Sequence, residues 1–190
     1  VTNQESNLWE VDNLKKSYPF LPLAMILFSI FACQDKEALT ELEEFRAQKA
    51  IEEQNIALYR EFIDKLNKGN LDIFDEYFAP EYSYYFPSNA REPMSLEKTR
   101  ELVKTHFESF PDYKWNIEEL YAVKDMVIAR MSTSGTFTKE YQGIPPTGNK
   151  VESSAIFIVR IENGKIVEER EEVDVLSVMQ QLGMELKPKE

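Results

Sequence analysis

An α+β fold, with helices packed on one face of an antiparallel sheet, follows from the order in which two periodicities appear along the chain. Apolar residues recur at helical spacing as far as Phe110, and from Lys114 onward they alternate as strands do. Asn163-Gly164, set between two apolar runs, is the sequence of a two-residue type I′ hairpin.

The 190 residues suit one domain plus an extension. At 43% hydrophobic and 12% aromatic, the chain has the material for a core. A formal charge of −12 excludes a nucleic-acid partner, because phosphate binding needs clustered Lys and Arg. One cysteine rules out an internal disulfide, and one histidine leaves no zinc-type cluster, so no metal site is expected.

Lys15 and Lys16 precede an apolar run from Phe20 to Ala32, with Cys33 directly after it. A basic stretch, an apolar stretch too short to span a bilayer and a small residue before the cut describe a secretory signal. Ile30-Phe31-Ala32-Cys33 resembles a bacterial lipobox, and the polar Gln34-Asp35-Lys36-Glu37 resembles the tether of a mature lipoprotein. The other reading is an apolar helix that ends in a free cysteine. The expected organisation is a leader over 1–32, a lipidated tether and helical stalk over 33–53, and a domain over 54–190. The expected location is the bacterial cell envelope, with the lipid on Cys33 as the sole membrane contact.

Thr40 with Glu43 three residues on forms a capping box and predicts a helix start. Ile56, Tyr59, Phe62, Ile63 and Leu66 make its apolar stripe, and Lys68-Gly69-Asn70 stops it. A short second helix fits 71–78, ended by Pro80. The cluster Tyr82, Tyr84, Tyr85 and Phe86 reads as a short strand or pocket wall, its hydroxyls either at a core rim or on a ligand. Ser95 is the expected N-cap of a third helix that ends before Pro111, with Leu102, Val103, His106, Phe107 and Phe110 on its apolar face. His106 is either a packed core residue or a general base.

Four strands are expected at 114–123, 125–141, 151–161 and 165–175. A hairpin turn at Asn163-Gly164 sets Ile161 opposite Ile166, Val159 opposite Glu168, Phe157 opposite Arg170, Ala155 opposite Glu172 and Ser153 opposite Asp174. In that register one sheet face carries Phe157, then only Ala155 and Ser153 around Asp174, leaving room for a ligand beside a carboxylate. A single β-bulge flips the assignment. Glu168, Glu169, Glu171 and Glu172 read as solvated charges that guard a sheet edge.

Gly143-Ile144-Pro145-Pro146-Thr147-Gly148, Gly164-Lys165-Ile166-Val167-Glu168, Asp174 and Gln180-Gln181-Leu182-Gly183 together resemble the SnoaL-like polyketide cyclase (ester cyclase) family. Phe110-Pro111-Asp112, Ile117-Glu118-Glu119-Leu120, Asn67-Lys68-Gly69-Asn70-Leu71-Asp72 and Phe78-Ala79-Pro80 extend the resemblance over about Gln54 to Gly183. It implies the nuclear transport factor 2-like fold, a cone of curved antiparallel sheet covered by about three N-terminal helices. It also implies an apolar pocket, a homodimer formed through the sheet, and chemistry without metal or organic cofactor. The carboxylate matching Asp174 serves the family as general acid/base at the carbon beside a carbonyl. Many members carry histidines where this chain has Tyr85 and Phe137, and a tryptophan where it has Arg170, all three lining the pocket. The candidate catalytic residues are therefore Asp174, Tyr85 and Arg170. The candidate substrate contacts are Tyr84, Phe137, Ser153, Ala155, Phe157 and His106. The expected ligand is a small apolar or carbonyl-containing molecule. The alternative is a lipid-anchored binding or dimerising module without catalysis.

Overall fold

The computed structural model describes residues 21–185 and 187–188, with backbone alone for 21–35. The first part of the expected leader and the Cys33 side chain lie outside the described residues. Among the described residues no helix is long and apolar enough to cross a membrane. The boundary between two compact units falls between Ala47 and Gln48.

Helix α1 spans Leu21–Leu66 and passes through Thr40 without a break, which corrects the expected start there. The Thr40 hydroxyl donates to the carbonyl of Lys36 at 3.0 Å, the back-bond of a mid-helix threonine. From Glu52 onward one side turns inward, burying Asn55, Tyr59, Phe62, Ile63 and Leu66 as the apolar spacing requires. Gly69 ends the segment at φ +75°, a left-handed conformation that costs glycine nothing. Just beyond the helix, Asn67 mimics a strand. Its Nδ2 donates to the carbonyl of Trp115 at 2.8 Å, and its Oδ1 accepts from the Trp115 N–H at 2.9 Å.

A short helix α2, Ile73–Tyr77, leads into strand β1, Phe78–Tyr85. A two-residue β2, Met94–Ser95, precedes helix α3, Leu96–Ser109, whose N-cap is Ser95, as expected. The sheet continues with β3 Lys114–Val123, β4 Met126–Thr136, β5 Lys150–Glu162 and β6 Lys165–Val173. Helix α4, Val175–Gln181, follows the last strand.

The six strands run in the order β2-β1-β6-β5-β4-β3. All neighbours are antiparallel except β1 and β6, which pair in parallel. This topology puts β6 in the interior of the sheet, so the glutamates along it guard no edge, contrary to expectation. The edges are β2 and β3.

The β5–β6 hairpin starts as the turn dictates, Ile161 opposite Ile166, with Asn163 and Gly164 both at positive φ. The register then slips by one: Arg160 pairs with Glu168, Val159 with Glu169, Ile158 with Arg170, Phe157 with Glu171 and Ala155 with Val173. Val167 is the extra residue, and a bulge with one residue unpaired turns every later side chain of β6 to the opposite face. The expected pairing of Val159 with Glu168, Phe157 with Arg170 and Ala155 with Glu172 is thereby corrected.

The main core lies between α1, α2, α3 and the inner sheet face. It is largely aromatic: Phe62 meets Phe78 edge-on at 5.0 Å and Phe74 edge-on at 6.0 Å, while Phe74 and Phe78 stack at 5.0 Å. A second, smaller core gathers Phe110, Phe137, Tyr141, Val151 and Leu182. Gly135 makes it possible, since a Cβ there would meet the Phe110 Cβ at 2.9 Å and Tyr113 Cδ2 at 3.0 Å. The Gly143–Gly148 loop returns to the sheet through Gly148, whose N–H donates to the Phe137 carbonyl at 2.8 Å.

Candidate functional site

Between the helices and the inner sheet face lies a cavity of about 420 Å³. Tyr59, Phe62, Ile63 and Leu66 of α1 form one wall, and Leu102, Val103 and His106 of α3 form another. The floor is sheet: Trp115, Thr133, Ser153, Ala155, Phe157, Glu169, Glu171 and Val173. Val175, Val178 and Met179 of α4 complete it. The size and mostly apolar lining are those of a small-molecule site.

Two carboxylates enter this lining because of the bulge. Glu169 and Glu171 are two residues apart on one strand, so they share its face about 7 Å from each other. Each is met by a phenol of β1, which runs beside β6. Tyr82 Oη donates to Glu169 Oε2 at 2.6 Å, and Tyr84 Oη donates to Glu171 Oε2. Burial pushes Glu169 up to about 7; the Tyr82 bond opposes the rise and the Glu171 charge adds to it. Burial likewise pushes Glu171 up to about 7, opposed by Tyr84 and assisted by the charge of Glu172. A carboxyl that titrates near neutrality can both give and take a proton at working pH. Tyr59 keeps its proton firmly, held first by burial and then by the charges of Glu169 and Glu171.

His106 lines the cavity with both ring nitrogens engaged. Its Nδ1 lies 2.8 Å from the Leu102 carbonyl, which can only accept, so Nδ1 carries the hydrogen. Nε2 then accepts from Tyr141 Oη at 3.1 Å. Burial lowers the pKa of the ring, which favours this neutral form. It is a packed and bonded residue of α3.

Of the side chains expected at the site, Tyr84, His106, Ser153, Ala155 and Phe157 line the cavity. Four others stand elsewhere. Arg170 points to the outer face, because the bulge reversed its side: its guanidinium lies 4.0 Å from the Tyr85 ring centroid, Nε donates to Glu168 Oε1 at 2.9 Å and Nη1 to the Ser88 carbonyl at 2.8 Å. Tyr85 alternates outward from Tyr84 and forms the stacking surface for that cation. Phe137 is fully buried in the second core, where it stacks on Phe110 at 5.2 Å.

Asp174 lies just beyond the last β6 pairing, exposed, as the N-cap of α4, where its Oδ1 accepts from the Ser177 N–H at 3.0 Å. It shares a shallow polar depression with Ser153, Ser154 and Ser177, while its neighbours Val173 and Val175 face the main cavity. The expected pairing of Asp174 with Ser153 does not form, because the ladder ends at Val173 opposite Ala155.

Glu169 and Glu171, with Tyr59, Tyr113 and Trp115, are the site residues that sequence reasoning passed over. The unbroken charged run Glu168-Glu169-Arg170-Glu171-Glu172 reads as solvated strand surface. The signal that would have found them is a bulge, and neither Val167 nor its neighbours announce one.

The family model described as SnoaL-like polyketide cyclase matches residues 56–182. No curated protein matches the chain. Among solved structures, TsrD from Streptomyces laurentii is similar at 28% identity and TM-score 0.59, covering 67% of this chain and 92% of that one. IdmH from Streptomyces antibioticus, provisionally named a polyketide cyclase, is 25% identical with TM-score 0.60 over 69% of this chain and 99% of its own. A protein of Jannaschia sp. CCS1, provisionally named a SnoaL-like polyketide cyclase, superposes with TM-score 0.64 at 24% identity, covering 72% of this chain and 96% of that one. At that identity the last likeness speaks for the fold alone.

Proposed function

The chain belongs to the SnoaL-like polyketide cyclase family, and from that premise we propose that its cavity takes a small carbonyl compound and moves a proton at the carbon beside the carbonyl. In this reading Glu171 is the general acid/base. Its carboxylate removes the proton, the electron pair moves onto the carbonyl oxygen as an enolate, and the same carboxyl returns the proton after rearrangement or ring closure. Tyr59 lines the cavity near both carboxylates, and its retained proton suits it to bond the enolate oxygen. The observation that supports the reading is a pair of carboxyls, each titrating near 7, in a mostly apolar cavity.

A concrete test uses 1-indanone in heavy water, with deuterium uptake at the carbon beside the carbonyl followed by NMR. The protein is expected to accelerate uptake over buffer, and E171Q is expected to lose about a hundredfold or more. Uptake lost in D174N but kept in E171Q would return the role to Asp174, as the family resemblance implies. No acceleration by the protein favours the alternative, a binding module without turnover. One observation speaks for that alternative: both nitrogens of His106 are already engaged, so no free imidazole serves the cavity.

Two further parts of the reading concern assembly. The chain forms a homodimer through the outer sheet face, where Tyr121, Val123, Met126, Ile128, Ile156 and Ile158 are exposed. Cys33 carries a lipid that holds the domain at the cell envelope, which rests on the lipobox-like sequence before it.

A further inference from the structure

We propose that the cavity selects ligands that join an apolar body to a cationic nitrogen, a small ammonium compound, and rejects carboxylates and phosphates. This names the substrate class of the site described above and rests on that reading of the cavity.

The first support is the charge of the lining. It holds Glu169 and Glu171 and no lysine or arginine. Its one histidine donates from Nδ1 to a carbonyl and accepts at Nε2 from a phenol, so it brings no positive charge. Tyr82 and Tyr84 supply hydrogen bonds to the carboxylates but no countercharge. A carboxylate in an apolar setting is costly without an opposite charge beside it, and removing one partner from such a pair is worse than never building it.

The second support is where the cations went. Arg170, on the strand that holds these glutamates, and Arg160, on the neighbouring β5, both turn to the outer face and both pair with Glu168, at 2.9 Å and 3.1 Å. The bulge at Val167 therefore sorts the strand into an outer face with paired charges and an inner face with carboxylates alone. When the two acids are ionised, no described residue of the lining supplies their countercharge, and a cationic ligand can.

The third support is the wall. Tyr59, Phe62, Tyr84, Phe86, Tyr113 and Trp115 present aromatic surface to the same space. Aromatic faces attract ammonium groups and repel anions, and they do so most strongly when desolvated. The described hydrogen bonds engage Oε2 of each carboxylate, so Oε1 of Glu171 is available to accept an N–H from a ligand. An anion would meet two carboxylates and six π faces with no cationic donor. The preference is therefore a difference between an attraction and a repulsion at one site.

Three probes of one shape test this: 2-naphthylmethylammonium, 2-naphthylmethanol and 2-naphthoate, titrated calorimetrically into the full chain at pH 8. The ammonium is expected to bind about tenfold or more tighter than the alcohol, with no measurable binding of the carboxylate. In E169Q/E171Q the ammonium should fall to the level of the alcohol, while alcohol binding persists and shows that the cavity is intact. Alcohol and ammonium binding equally to the unaltered protein would overturn the cation preference and leave the apolar pocket standing. Naphthoate binding best would overturn it as well. If none of the three binds, the pocket reading beneath it fails too.

Discussion

Val159 lies across from Glu169 in the β5–β6 ladder, one residue beyond the partner that the Asn163-Gly164 turn assigns to it. Val159 is fully buried and Glu169 is 6% exposed, so the slip carries a carboxyl into the interior. Everything distinctive about the cavity follows from that displacement: the inward glutamates, the outward Arg170 and the phenols of β1 that meet the carboxylates.

Stability should fall as pH rises through the window from 4.5 to about 7. An ordinary glutamate titrates at 4.5, whereas Glu169 and Glu171 are raised to about 7 in the folded chain. Below the window both states hold the protons and nothing is gained or lost. Within it the folded state holds more protons than the unfolded one, so each rise in pH favours unfolding, at about 1.4 kcal/mol per unit of separation. Above about 7 the loss is complete. Glu169→Gln removes one titrating group, so its Tm should match that of the unaltered protein near pH 4 and exceed it at pH 8. Parallel Tm profiles for the two proteins would contradict the buried-acid assignment.

Gly135→Ala should destabilise the fold by about 1–3 kcal/mol. The added Cβ would press on Phe110 and Tyr113 at 2.9 and 3.0 Å, and Phe110 is already stacked on Phe137 and cannot withdraw. Urea unfolding should show a lower midpoint at an unchanged slope. An unaltered midpoint would mean that the second core yields easily.

Ile128→Asp should convert a dimer to a monomer in sedimentation equilibrium. Ile128 sits in the exposed sheet face with Tyr121 opposite it on β3 and Ile158 opposite it on β5. A charge at that junction would have to be desolvated on pairing. If the unaltered chain is already monomeric at micromolar concentration, the outer-face dimer is wrong.

Cys33→Ser should move the full chain from the membrane fraction to the soluble one when it is expressed in a bacterium that processes lipoproteins. Retention of the variant in membranes would remove the lipid anchor from the account.

By itself the sequence determined the class of fold and most of its parts. The α1 stripe at Tyr59, Phe62, Ile63 and Leu66, the Ser95 cap, the left-handed Gly69 and the Asn163-Gly164 hairpin are each decided by residues near one another in the chain. Five cavity residues, Tyr84, His106, Ser153, Ala155 and Phe157, were legible for the same reason, since simple alternation or helical spacing puts each on its inner face. The extent of α1 was not legible: Thr40 and Glu43 have the sequence of a cap, but the helix already present before them leaves no free N–H groups to satisfy.

Only the tertiary structure decided which acids face inward. A turn fixes register for the residues next to it, but β6 is also held from its other side by the parallel pairing of β1, with Tyr82 and Tyr84 positioned to meet Glu169 and Glu171. Strand pairing has period two, so a single unpaired residue at Val167 reverses the facing of all that follows. Asp174 was left as a helix cap at the rim and Arg170 as an outer cation because of that one residue. The constraint joins residues 87 positions apart in the chain, as in the Tyr82–Glu169 bond, and no local pattern records it.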